Sequence, residues 1–123
     1  MTLQEMYDNI GGSYEQAARV LRVDKLIDKH IRKFKDNGVV EALLDAGEAM
    51  DSVQMFETAH AVKGVCGNLG LTSLYELASE LSDEFRPGNE RKMSDEEVKA
   101  KLAELKAEYE KTAAGIQAYE ESN

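Results

Sequence analysis

His60 is the residue of this chain best equipped for covalent chemistry, because three neighbours stand at helical spacing from it. A neutral imidazole near physiological pH is a competent nucleophile toward phosphorus. Lys63, three residues on, can neutralise phosphoryl oxygens as a mobile point charge. Gly64 and Gly67 follow at i+4 and i+7, one and two turns beyond His60 along the same line of a helix. A helical histidine by itself is most often a surface residue or a satisfied core group, and a helical lysine a solvated one. The spacing separates His60 from His30, which borders the Ile27–Ile31–Phe34 stripe and has no such neighbours.

These side chains can act only if a helix turns them outward. The best-marked helix begins at Asp51, an N-cap with Gln54 in capping-box register, and runs to Gly70, a natural C′ glycine. Met55, Ala59, Val62, Cys66 and Leu69 fall within about 80° of one another on its wheel and define the buried stripe. His60 lies well round from that stripe, on the solvent side. Gly64 and Gly67 each cost about 0.8–1 kcal/mol relative to alanine inside a helix, and neither serves as a cap. They follow His60 and not the apolar stripe, which points to a groove cleared for a bulky group on the imidazole or for a partner's backbone. The competing reading is that they admit a crossing helix.

Helical periodicity accounts for the remaining elements. Leu3, Met6, Tyr7 and Ile10 make a short amphipathic segment stopped by Gly11-Gly12. Tyr14, Ala17, Ala18 and Leu21 repeat the spacing over a second. Asp24 reads as the N-cap of a helix with Ile27, Ile31 and Phe34 inward, closed by Asn37-Gly38. Val39, Val40, Leu43 and Leu44 extend as far as about Gly47, either as a new helix or as a kinked continuation. Thr72 opens a helix that buries Leu74, Leu77, Leu81 and Phe85 and ends at Arg86-Pro87-Gly88-Asn89. Ser94 and Glu97 form a second capping box, after which Val98, Leu102, Leu105, Tyr109, Thr112, Ile116 and Tyr119 line a long last helix. No strand is expected, no repeat or linker divides the chain, and residues 1–123 are read as one all-α domain.

Composition narrows the partners. The formal net charge is −9, from 24 acidic and 15 basic residues, so nucleic acid and anionic membrane are poor candidates. Cys66 has no second cysteine to pair with, no apolar run approaches membrane-spanning length, and a cytoplasmic location is expected. Met1 and a full set of helices favour a free-standing chain. Glu57-x-x-His60 has the spacing of di-iron bundles, but such sites need a second pair, His30 has Ile27 at the matching position, and His60 faces outward. No metal is therefore assigned. An autophosphorylating kinase is excluded by the lack of a glycine-rich nucleotide loop and of room for a nucleotide-binding domain.

The segment Ala59-His60-Ala61-Val62-Lys63-Gly64-Val65-Cys66-Gly67-Asn68-Leu69-Gly70 resembles the signature of histidine phosphotransfer (HPt) domains, H-x-x-K-G-x-x-x-x-L-G, with every fixed position present. The flanks, including Ile10-Gly11-Gly12 and the helix after Gly70, resemble the family more loosely. The resemblance implies an antiparallel four-helix bundle with one or more short N-terminal capping helices. It implies that His60 is phosphorylated, that Lys63 stabilises the phosphate, and that Gly64 clears space for the partner. Gly67 and Asn68 match common family choices, Gly67 as further clearance and Asn68 as a support behind the site.

A phosphorelay carrier, and not a turnover enzyme, is then expected. It would bind no cofactor of its own, the receiver partner supplying Mg²⁺, and would act as a monomer with response-regulator receiver domains and a hybrid histidine kinase as partners. The alternative is a phosphorylation-inactive bundle that only docks signalling partners.

Overall fold

The computed structural model describes residues 1–122, which form seven α-helices and, among the described residues, no strand. The first two are short. Helix α1 (Leu3–Ile10) opens on a reciprocal capping box between Thr2 and Glu5 and ends at Gly11, whose φ of +71° suits glycine. Helix α2 (Tyr14–Leu21) is capped by Ser13, whose hydroxyl accepts the Gln16 N–H.

Helix α3 (Asp24–Phe34) starts one residue earlier than its sequence suggests. Val23 occupies the N-cap, and Asp24 is the first helical residue. The Asp24 carboxylate accepts a hydrogen bond from the Tyr14 hydroxyl of α2 in place of a backbone N–H, and its charge still suits the helix N-terminus. A break then separates α3 from α4 (Val39–Ala49), with Gly38 left-handed at φ +75° and Asn37 accepting the Val39 N–H at 3.0 Å. The two are distinct helices, not one kinked helix. Gly47 does not stop α4, which runs on to Ala49. Gly47 is buried against Leu102, where a Cβ would collide with that side chain.

Helix α5 (Ser52–Leu69) is capped by Asp51, which accepts from the N–H groups of Val53 and Gln54, and it closes at Gly70 with φ +69°. Met55, Ala59, Val62, Cys66 and Leu69 are all buried, as the wheel requires. Helix α6 (Thr72–Phe85) buries Leu74, Leu77, Leu81 and Phe85 and ends in extended backbone at Arg86. Helix α7 (Asp95–Ser122) begins with the Ser94–Glu97 reciprocal pair and buries most of its stripe. Tyr109 stays half-buried, because its hydroxyl reaches the Glu41 carboxylate and the Lys35 carbonyl.

Packing follows from these faces. Helix α5 packs most extensively on α6 and also on α4, while α7 contacts both α6 and α4, so α4, α5, α6 and α7 touch in a closed cycle. The apolar stripes of the four meet in one core. Helix α2 lies on α5, α1 on α7, and α3 reaches α2, α5 and α7.

The loop between α6 and α7 is held by Glu84, whose buried carboxylate accepts the N–H groups of Lys92 and Met93 and pairs with Arg91 at 3.1 Å. Burial alone would raise its pKa. The two N–H groups and the guanidinium outweigh that and hold it below the ordinary glutamate value.

Candidate functional site

The C-terminal half of α5 is fixed from two sides. On one, its apolar stripe enters the core. On the other, the N-terminal helices satisfy carbonyls that a helix end would leave without partners. The buried Tyr7 hydroxyl donates to the Leu69 carbonyl at 2.6 Å, and the Ser13 N–H donates to the Gly70 carbonyl at 2.8 Å. Gln16 Nε2 reaches the Gly67 carbonyl at 3.4 Å. Gly70 must be glycine for two reasons: its φ is positive, and a Cβ there would strike the Ser13 carbonyl oxygen.

This rigid segment presents one open groove of about 520 Å³. His60, Lys63, Gly64, Gly67 and Asn68 all line it, so the structure brings together every residue singled out from the sequence. His60 and Asn68 are exposed and Lys63 is half-buried. The Lys63 ammonium makes no ion pair with another described residue and is free to meet an anion. His30, by contrast, sits exposed on α3 and lines no part of this groove.

The two glycines differ. A Cβ at Gly64 would meet nothing within 4 Å, so packing within the chain gives no reason for a glycine there. A Cβ at Gly67 would stand 3.1 Å from two ring carbons of Tyr75 on α6. Gly67 thus makes room for a neighbouring helix of its own chain, the competing reading for small residues in a helix.

Gln16, Thr72 and Tyr75 line the groove as well, and none of them carries a local sequence signal for it. Phe56 had a signal that its apolar character masked. It stands four residues before His60, hence on the same side of the helix, and its half-buried ring stacks on the imidazole with centroids 5.6 Å apart.

Cys66 also borders the groove, but burial pushes its thiol up to about 12, so it stays protonated and unreactive. Among the described residues, no three His, Cys, Asp or Glu side chains gather as a metal site, and no helix is long and apolar enough to cross a membrane.

What the arrangement offers is an accessible nucleophilic nitrogen, a free cation one turn away, and an unobstructed approach beside them. A family model described as the Hpt domain matches residues 34–115, two thirds of the chain, spanning the end of α3, all of α4, α5 and α6, and most of α7. No curated protein matches the chain, and no solved structure does. All six groove residues of α5 fall within the matched span, and the chain belongs to the Hpt domain family.

Proposed function

We propose that this protein is a phosphocarrier of a two-component phosphorelay, in which His60 takes a phosphoryl group from the aspartate of one receiver domain and passes it to another. The observation that carries this reading is the convergence of exposed His60, unpaired Lys63 and unobstructed Gly64 on one groove in a chain of the Hpt family. The closed cycle of α4, α5, α6 and α7, joined by short connections, supports an antiparallel four-helix bundle capped by α1–α3, all within one domain.

In this mechanism a receiver bearing an aspartyl phosphate docks over the groove. The imidazole lone pair attacks phosphorus in line as the bond to the aspartyl oxygen breaks, and the carboxylate leaves with the bonding pair. Lys63 offsets charge on the phosphoryl oxygens, Gly64 lets the receiver backbone close in, and Asn68 supports the site's edge. The reverse step at a second receiver returns the imidazole to its starting state. Mg²⁺ belongs to the receivers, which also carry most of the charge stabilisation, so this chain is a carrier and not a turnover enzyme. A hybrid histidine kinase is the natural source of the first receiver. The carrier acts as a cytoplasmic monomer without nucleic-acid or membrane partners.

Incubation with a ³²P-labelled receiver tests the reading. Wild type and His30→Gln should both acquire acid-labile label, and His60→Gln should acquire none while keeping its helical circular dichroism. Label on His60→Gln, or its loss in His30→Gln alone, would contradict the assignment. Unchanged receiver binding by a chain that takes no label would instead favour the docking-only alternative.

A further inference from the structure

His60 is exposed, and its imidazole makes no hydrogen bond with another described residue. Among the described residues its one ring contact is Phe56, stacked on it with an interplanar angle of 23°. Phe56 is itself held. The Arg86 guanidinium, at the end of α6, lies over the Phe56 ring with Cζ 5.5 Å from the centroid. The Asp83 carboxylate one turn back accepts from Arg86 Nη2 at 3.1 Å. Asp83, Arg86, Phe56 and His60 therefore form a continuous run of contacts from the end of α6 to the nucleophile.

An exposed helical histidine samples more than one staggered rotamer. In-line transfer requires that its nitrogen lie on the axis of the breaking P–O bond, so every other rotamer is unproductive. Stacking on a neighbouring aromatic ring shifts such populations by about two- to tenfold. Phe56 contributes no lone pair and no proton, and its part in the reaction is orientation.

We infer that Phe56 is a positioning residue for phosphoryl transfer, holding the His60 imidazole in its reactive orientation while Arg86 and Asp83 hold Phe56. This rests on the reading of His60 as the phosphoryl carrier, but orientation can be measured without phosphate.

The test compares Phe56→Leu, which keeps apolar bulk and loses the ring, with Phe56→Tyr, which keeps the ring. In the unphosphorylated proteins, the imidazole C–H proton resonances of His60 should carry a ring-current shift in wild type and Phe56→Tyr that is lost in Phe56→Leu. Phosphoryl uptake from a labelled receiver should slow about two- to tenfold in Phe56→Leu and return close to wild type in Phe56→Tyr. Unchanged His60 resonances in Phe56→Leu would overturn the inference, as would a wild-type rate in that variant or an equal loss in both. A wild type that takes no label would overturn the carrier reading, and the resonance comparison would then decide the orientation by itself.

Discussion

One methyl group, added at three glycines, tests whether Gly64 is kept for a partner and the other two for the fold. Gly64 is helical, and a Cβ there meets nothing within 4 Å. Gly64→Ala should therefore gain the full helix-propensity difference, about 0.8–1 kcal/mol, with no packing loss. At Gly67 the same methyl lies 3.1 Å from the Tyr75 ring, which is 38% exposed and can swing outward, so the gain should fall between zero and the Gly64 value. At Gly115 it collides with the Ile10 side chain, which is 4% exposed at the contact of α1 with α7. Overpacking of about 1–3 kcal/mol there exceeds the propensity gain and leaves a net loss of up to about 2 kcal/mol. Urea unfolding at a common m-value gives the order directly. Phosphoryl uptake should then fall in Gly64→Ala although that variant is the most stable of the series. A Gly64→Ala protein less stable than wild type, or more stable and fully active, would refute the reasoning.

Further outcomes follow from other parts of the molecule. Tyr7→Phe removes the buried donor to the Leu69 carbonyl and should cost about 1–3 kcal/mol in urea unfolding, against near-neutrality for Tyr75→Phe at the exposed rim. Lys63→Ala should slow phosphoryl uptake in a quenched-flow assay while unfolding within about 0.5 kcal/mol of wild type, because its ammonium has no partner to lose. Glu84, held below the ordinary glutamate value, contributes stability that is fully present above the unfolded value and is lost as pH falls through the folded one. Urea midpoints measured from pH 6 down to 3 should therefore fall less steeply for Glu84→Gln than for wild type, and parallel curves would argue against Glu84 holding the α6–α7 loop.

Much of this molecule is legible in its sequence because the decisive signals are local. The Asp51 cap, the Gly70 terminus and the apolar stripe between them define α5, and with it the outward face of His60, from side chains within a few turns of one another. Where the reading departs from the structure, a distant side chain is the cause. Asp24 looks like a cap, but Tyr14 approaches from α2 and takes its carboxylate. Gly47 looks like a stop, yet it is a flat place against which Leu102 of α7 packs. Gly67 also faces Tyr75 of α6, a neighbour that no spacing within α5 announces. Gln16 reaches the groove only because α1 and α2 fold back onto the end of α5, and no spacing within α2 announces it. Phe56 draws no reading from the sequence, since its partner Arg86 is thirty positions away.

The central claim is that His60 both receives and gives. The most direct measurement isolates the phosphorylated protein, locates the phosphate by fragmentation mass spectrometry, and then follows it after addition of an unphosphorylated receiver with Mg²⁺. The account predicts one phosphate, on the peptide containing His60, leaving this chain as it appears on the receiver aspartate. A phosphate on any other residue, or one on His60 that hydrolyses without reaching the receiver, would contradict it.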